Sequence, residues 1–193
     1  MYLVEEQQFL LRLARQSIEY FLKTGSKLNG NGMLPRALLT GGLRENRACF
    51  VALTKDFELR GCIGHLEATQ PLYLDVIDNA RAAACADDRF FPVTKAELVE
   101  IQIEISVLTA PRQLQFDSPD DLLAQLTVGV DGVIISRDEK NATYLPQVWD
   151  EILDKHDFLS SLCLKAGLEP DDWQKPGLQA QTYRVEIIQE THH

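Results

Sequence analysis

Two stretches near the N-terminus repeat their apolar residues at helical spacing. Residues 3–23 place leucine, isoleucine and phenylalanine on one stripe among glutamate, glutamine and arginine, and Gly25 follows as a helix stop. Residues 69–85 carry Pro71 in the first turn and a face that includes several alanines. We therefore predict two helices here, and the alanines of the second predict close packing against a neighbouring element.

Strict alternation of apolar and polar residues predicts strands further along the chain. The clearest runs are residues 101–108, with the sequence IQIEISVL, and residues 182–189, with the sequence TYRVEIIQ. Alternation of this kind is typical of a strand that is half buried in an antiparallel sheet. Shorter patterns predict strands over residues 133–136 and 143–145 and helices over residues 117–125 and 153–166.

Residues 47–54 and 57–65 are two further predicted strands, close enough in sequence to form a hairpin that turns at Lys55-Asp56. Strands therefore come in hairpins and isolated runs, with helices scattered between them. This order predicts an α+β fold with a mainly antiparallel sheet flanked by helices. The chain of 193 residues is long enough to bury a core of its own.

The segment from Gly25 to Asn46 is long, rich in glycine and without a periodic pattern. Loops of this length are uncommon in compact domains and are usually functional or disordered. Two interpretations are open: a surface connection held by scattered apolar residues, or a flap over a site.

Composition and charge exclude several classes of function. The formal charge of −10 disfavours nucleic-acid phosphates as partners. No apolar run approaches the roughly 20 residues of a membrane span, and residues 1–6 show no start of a secretory signal. We therefore expect a cytoplasmic protein that binds neither nucleic acid nor membranes.

The cysteines show no metal-binding spacing, since there is no C-x-x-C pair and no histidine at a zinc-finger distance. We predict that all four are free thiols, that the chain has no metal site, and that its cofactor, if any, is not encoded in a known motif. The four are Cys49, Cys62, Cys85 and Cys163.

The sequence LRGCIG at residues 59–64 is the best candidate in the chain for a reactive site. In a straight strand, alternate residues starting from Leu59 face the core, whereas Arg60, Cys62 and Gly64 face the other side. A guanidinium beside a thiol lowers the thiol pKa, and neighbouring glycines leave the thiol accessible. On this interpretation Cys62 is a nucleophile that Arg60 activates.

A structural interpretation of the same segment is also coherent. Free cysteine is among the most buried residue types, and glycine in a strand often marks close packing. The alanine-rich helix over residues 69–85 is a natural partner for such a thin strand. His65, oriented by Glu67, is the nearest candidate base for Cys62, but in a straight strand it faces the opposite side.

Several segments, taken together and in order, resemble one known family. They are RACFVALT, LRGCIGHL, AAACADDRFFPVTKAELVEIQIEISVLT, GVDGVII, ATYLPQVW and FLSSLCLKAGL. These segments are similar to the AMMECR family, whose prokaryotic members are called AmmeMemoRadiSam system protein A. The resemblance runs from about Gln8 to the last strand and is complete over the signature segment LRGCIG.

This resemblance implies an α+β fold in which residues 1–193 form a single AMMECR-type domain with a larger and a smaller subdomain. It implies that the signature segment lines a cleft. It also implies two partners, a Memo-like protein and a radical-SAM enzyme, and it supplies no established reaction.

The resemblance also implies site residues, position by position. The signature and a D-x-R-F-x-P pattern are matched by Arg60, Gly61, Cys62, Gly64, Asp87, Arg89, Phe90 and Pro92. A T-x-L-P segment is matched by Thr143, Leu145 and Pro146. We take Cys62 and Arg60 as candidate catalytic residues, and as candidate ligand-binding residues Gly61, Gly64, Asp87 and Arg89. His65 departs from the threonine or serine of many members, which argues against a Cys62–His65 pair.

Two functions of different class follow. The first is a ligand- or partner-binding component in which the signature segment is structural and Cys62 makes no bond. The second is an enzyme that uses Cys62 as an activated thiol nucleophile. The first is favoured, because no convincing base or metal set accompanies Cys62.

Overall fold

The computed structural model describes residues 2–30 and 42–190, and the α+β class is confirmed. The chain divides into two compact units. The larger unit comprises the residues up to Leu108 together with those from Glu186 onwards, and the smaller unit runs from Thr109 to Val185. Most of the predicted flap, residues 31–41, lies outside the described residues.

The helices and strands follow the predicted order, with more strands than the sequence suggested. In chain order they are α1 (Val4–Thr24), β1 (Cys49–Lys55), β2 (Glu58–Gly64), α2 (Leu72–Cys85), β3 (Gln102–Leu108), β4 (Arg112–Gln113), α3 (Pro119–Gln125), β5 (Gly132–Arg137), β6 (Lys140–Tyr144), α4 (Lys155–Lys165), β7 (Gln179–Tyr183) and β8 (Val185–Gln189). Short 3-10 helices cover Glu97–Glu100, Pro146–Asp150 and Asp172–Gln174.

Two four-stranded sheets divide these strands between the units. The order in the larger unit is β2-β1-β3-β8, so that β2 lies at one edge, and the order in the smaller unit is β4-β7-β5-β6. Helices α1 and α2 pack on one another, and α2 also packs on β1 and β2. The buried apolar residues form one core within each unit.

Local sequence explains where several helices begin and end. Gly25 adopts a left-handed φ of 70° at the end of α1, as its position predicted. The Ser118 hydroxyl accepts the backbone N–H of Asp121 at the start of α3, and Asp154 caps α4 in the same way. The capping predictions for α1 and α3 are therefore confirmed.

Two boundaries predicted from the sequence were wrong. The β1–β2 hairpin turns at Asp56 and Phe57, with positive φ values of 53° and 66°, and not at Lys55-Asp56. The predicted strand over residues 182–189 is two strands that separate at Arg184. Its first part pairs with β4 and β5, whereas its second part belongs to the sheet of the larger unit.

Strand β2 contains a β-bulge that simple alternation did not predict. Leu53 pairs with Gly61 and Thr54 pairs with Leu59, so that Arg60 is the extra residue. Leu59 therefore shares the face of Thr54 and is 45% exposed, which corrects its expected place in the core. Gly61 is buried and faces the core as predicted.

Two family segments serve packing within the smaller unit. The ring of Tyr183 covers Gly132, where a Cβ atom would lie 2.4 Å from the ring. The Tyr183 hydroxyl donates to the Tyr144 carbonyl and lies 3.1 Å from the Thr143 hydroxyl. In addition, the indole N–H of Trp149 donates to the carbonyl of Asp131. These contacts give Thr143 a structural role within the smaller unit.

None of the helices described in residues 2–30 and 42–190 is both long enough and apolar enough to cross a membrane.

Candidate functional site

The backbone of Cys62 is held from outside the sheet. Its N–H donates to Asp87 Oδ2 at 2.8 Å, and its carbonyl accepts a hydrogen bond from Arg89 Nη2 at 3.3 Å. Because β2 is an edge strand, these two side chains stand where a further strand would pair. The structure thus brings together Cys62, Asp87 and Arg89, which the sequence placed in two separate segments.

Asp87 and Arg89 form a two-point ion pair. Asp87 Oδ1 accepts from Arg89 Nε at 2.9 Å, and Oδ2 accepts from Nη2 at 2.7 Å. The Asp87 side chain is buried, whereas 54% of the Arg89 side chain is exposed. The hydrogen bonds from Arg89 hold the pKa of Asp87 well below its usual range, against the opposing effect of burial. Arg89 is therefore a cation with a fixed orientation that still faces solvent.

The thiol of Cys62 is half buried, and its pKa is raised from the ordinary value. Burial raises its pKa most, Arg89 lowers it, and Asp87 and Glu104 raise it further. Arg60 does not have the expected effect on the thiol, because its Nε and Nη2 bind the carboxylate of Glu97 at 2.6 and 3.1 Å. The proposed lowering of the thiol pKa by Arg60 is thus corrected, and the nearby cation is Arg89.

An aromatic ring lies close to both arginines. The guanidinium carbons of Arg60 and Arg89 lie 6.0 and 5.4 Å from the ring centroid of Phe90, within the range of cation–π contact. The next residue, Phe91, is 88% exposed. The D-x-R-F pattern therefore supplies a cation and an aromatic support next to β2, and Phe91, at the variable position that follows, adds an exposed aromatic side chain.

Sequence reasoning missed Glu104, which lies in the same row as Cys62. The strand register pairs Ala52 with Cys62 on one side and with Glu104 on the other. Glu104 is half buried, and burial raises its pKa while a hydrogen bond with Ser106 lowers it. The alternation in IQIEISVL placed Glu104 away from the core, but the pairing of β1 with β3 was not predictable from local pattern.

We refer to Ala52, Cys62, Gly64, Glu104 and Ser106 as the signature face. They lie on the side of the sheet opposite α2, across three adjacent strands. Successive strands are about 4.8 Å apart, so the backbones of Cys62 and Glu104 are roughly 10 Å apart. This face offers a half-buried thiol and a carboxyl group on either side of a small residue, which suits the binding of a ligand.

The two signature glycines are explained by packing. A Cβ atom on Gly61 would lie 2.2 Å from the carbonyl oxygen of Ala83 in α2. A Cβ atom on Gly64 would lie 2.3 Å from the ring of Phe50 and 2.6 Å from the carbonyl oxygen of Cys49. The alanine-rich helix therefore packs on this thin strand, as the structural interpretation predicted.

His65 is directed to a partner other than Cys62 or Glu67. Its Nδ1 lies 2.6 Å from Asp75 Oδ1, and Asp75 is a buried residue of α2. The second oxygen of Asp75 accepts the backbone N–H of Cys49 at 3.0 Å and a hydrogen bond from Asn79 at 2.9 Å. Asp75 therefore fixes the start of β1, and His65 is not positioned as a base for Cys62.

All four cysteines are free thiols, as predicted. Among the residues that the structure describes, no three metal-binding side chains of the His, Cys, Asp or Glu type come together.

Comparison with known proteins identifies the family. The AMMECR1 family model matches residues 11–188. A Methanopyrus kandleri protein is 40% identical over 97% of this chain and 89% of its own length. One from Methanocaldococcus jannaschii is 37% identical over 97% of this chain and 91% of its own. The crystal structure of an uncharacterised protein from Pyrococcus horikoshii is similar with a TM-score of 0.83 and 34% identity, covering 97% of this chain and 93% of that one.

Proposed function

The chain belongs to the AMMECR1 family, and from that premise we propose that it is a binding component. In this proposal the signature face and the adjoining Arg89 receive a ligand or a segment of a partner protein. Cys62 contributes to the shape of this surface, and it forms no covalent bond.

The state of Cys62 is the observation that carries this proposal. A nucleophilic cysteine needs a lowered pKa or a base within hydrogen-bond reach. Here burial raises the thiol pKa, Arg89 is already paired with Asp87, and His65 is bound to Asp75. The same two residues, Asp87 and Arg89, hold the Cys62 backbone in place, which a binding surface requires.

The family resemblance suggests the partners, a Memo-like protein and a radical-SAM enzyme. The residues beside the signature face fit a protein contact, because arginine and aromatic side chains contribute most of the binding energy at interfaces. Arg89 has a fixed direction, and Phe91 exposes 88% of its surface. We therefore expect Phe91 to be an anchor in the contact with the Memo-like protein.

Binding to the Memo-like protein of the same genome tests the proposal. Phe91→Ser should weaken binding about tenfold or more, because it removes an exposed aromatic anchor. Cys62→Ala should leave affinity within about twofold. Leu164→Ser is the matched control, since Leu164 is an exposed apolar residue of the smaller unit. Biolayer interferometry measures the affinities, and circular dichroism verifies that each variant is folded.

Two results would contradict the binding proposal. Loss of binding in the Leu164→Ser control to the same degree as in Phe91→Ser would show a non-specific apolar effect. Unchanged binding in Phe91→Ser would remove the proposed anchor. If Cys62→Ala alone abolished the activity of a reconstituted system while binding stayed intact, the thiol-nucleophile alternative would be supported instead. Substitutions of Gly61 are unsuitable here, because its contact with Ala83 makes them folding variants.

A further inference from the structure

We propose that the smaller unit carries a binding site of its own, a groove that takes a small oxyanion such as a carboxylate or a phosphate. The groove has a volume of about 350 Å³. We name it the arginine groove. It is lined by Thr109, Ala110, Arg112, Gln125, Thr127, Asp131, Thr182, Tyr183 and Arg184.

Backbone pairing fixes the position of both arginines. Arg112 lies in β4 directly opposite Thr182 of β7. The backbone N–H of Arg184 donates to the Thr109 hydroxyl at 2.8 Å, and the Thr109 N–H donates to the Arg184 carbonyl at 2.8 Å. The backbones of Arg112 and Arg184 are therefore both held by hydrogen bonds at the rim of the same groove.

The charge of the groove is opposite to that of the whole chain. Arg112 is exposed and makes no ion pair or side-chain hydrogen bond with any residue that the structure describes. Arg184 Nε lies 3.6 Å from Asp131 Oδ1, and the other Asp131 oxygen accepts the backbone N–H of Thr127 at 2.8 Å. Two cations and one carboxylate leave one positive charge, on a chain with a formal charge of −10.

Thr182 adds a hydroxyl to the groove. It is only 6% exposed and lines the groove, and its hydroxyl has no hydrogen-bond partner in the described part of the chain. This hydroxyl can therefore donate a hydrogen bond to a bound molecule. A guanidinium fork and a hydroxyl are the donors that recognise carboxylate and phosphate oxygens.

The volume limits the ligand to a small molecule. Sites for small molecules are commonly about 300–1,000 Å³, and this groove lies at the lower end of that range. One carboxylate or phosphate group on a short chain fits better than a nucleotide. All lining residues belong to the smaller unit, so this inference does not depend on the function proposed for the signature face.

Calorimetric titration of the full chain at low salt tests the site, with inorganic phosphate and succinate as separate probes. We expect at least one probe to bind with a Kd below about 10 mM. Arg112→Gln should weaken that binding about tenfold, because it removes the unpaired cation. Asp131→Asn should strengthen it, because it removes the only carboxylate among the described residues that line the groove. Arg12→Gln, an exposed position on α1, is the matched control and should have no effect.

The titrations distinguish three kinds of ligand. Tighter binding of phosphate assigns a phosphate-bearing ligand, tighter binding of succinate assigns a carboxylic acid, and equal binding supports a general oxyanion site. The proposal is overturned if neither probe binds at about 10 mM, or if Arg12→Gln weakens binding as much as Arg112→Gln. Partner binding by the signature face would be unaffected by either result.

Discussion

At the scale of single residues, Arg89, Asp87 and Glu104 set the charge that the Cys62 thiol experiences. Burial raises the thiol pKa most, and the two carboxylates add to that effect while Arg89 opposes it. Since Asp87 also holds the Cys62 backbone, Glu104 is the group that can be changed with the least effect on structure.

Neutralising Glu104 should make Cys62 more reactive. In Glu104→Gln the thiol pKa falls, because a nearby negative charge no longer disfavours the thiolate. In Arg89→Gln it should rise. Iodoacetamide labelling against pH, read at each cysteine by mass spectrometry, gives the midpoint. We expect Cys62 of the unchanged protein to label above the free-thiol midpoint of about 8.5.

Cys85 is the internal control for this experiment. It is also half buried, and its pKa is raised by burial and lowered by Arg81, with no contribution from Glu104. Its labelling should therefore be the same in Glu104→Gln. A Cys62 midpoint that does not move, or that moves together with that of Cys85, would contradict the assigned charge effect.

The ion pair of Asp87 predicts a change of stability with acid. The pKa of Asp87 is lowered in the folded chain, mainly by Arg89, so ionised Asp87 stabilises the fold above its unfolded pKa of about 3.9. That stability begins to decrease as the pH falls below this value, and it is lost completely only below the lowered pKa of Asp87 in the folded chain. Asp87→Asn should cost about 1–3 kcal/mol at pH 7, and the difference in stability between the two proteins should narrow as the pH falls below about 3.9.

Urea denaturation at a series of pH values measures this difference. Asp88→Asn is the control, because Asp88 is exposed and adjacent in sequence. If the difference in the free energy of unfolding between wild type and Asp87→Asn stayed constant down to pH 3, the carboxylate charge would not be the cause of that difference.

The sequence predicted the residues of this site better than their partners. The sequence indicates Cys62, Asp87 and Arg89 as candidates, and the structure brings these three residues together. The Arg60–Glu97 pair and the place of Glu104 depend on contacts between distant segments, which local patterns do not encode. The sequence offers His65 as a base, but its partner Asp75 lies on a helix whose orientation local sequence does not predict.

At the scale of elements, strand type was predictable and strand register was not. The alternation in IQIEISVL correctly predicted β3, and the alanine face correctly predicted the close packing of α2. The bulge at Arg60 reversed the expected face of Leu59, because one extra residue shifts alternation by one. Strand β4 has only two residues and carries too little pattern to be recognised.

Gly61 and Gly30 both lie close to residues of α2, and their substitution should have different costs. Gly61→Ala should cost about 3 kcal/mol or more, because its Cβ atom meets the backbone carbonyl of Ala83 at 2.2 Å. Gly30→Ala should cost less, since its Cβ atom meets only the ends of the Ile77 and Leu74 side chains at 2.6 Å, and these can rotate.

Chemical denaturation of both variants measures the two costs. Failure of Gly61→Ala to fold would agree with the prediction if Gly30→Ala folds. Equal losses of stability in the two proteins, or a loss below about 0.5 kcal/mol for Gly61→Ala, would contradict a rigid contact between the strand and the helix.

At the scale of the whole molecule, each unit closes its own hydrophobic core. Leu53 is fully buried in the core of the larger unit, and Leu162 is fully buried in that of the smaller unit. Both tryptophans of the chain, Trp149 and Trp173, lie in the smaller unit. Tryptophan fluorescence therefore reports on one unit, whereas circular dichroism reports on both.

This division predicts that core substitutions act on one unit at a time. Leu53→Ala should destabilise the larger unit by about 2–5 kcal/mol through the cavity it leaves. The far-UV circular dichroism transition should then begin at lower urea, while the tryptophan transition keeps its midpoint. Leu162→Ala is the matched control and should lower the tryptophan midpoint. If Leu53→Ala lowered both midpoints equally, the two units would unfold as a single cooperative body, and separate cores would not imply separate stabilities.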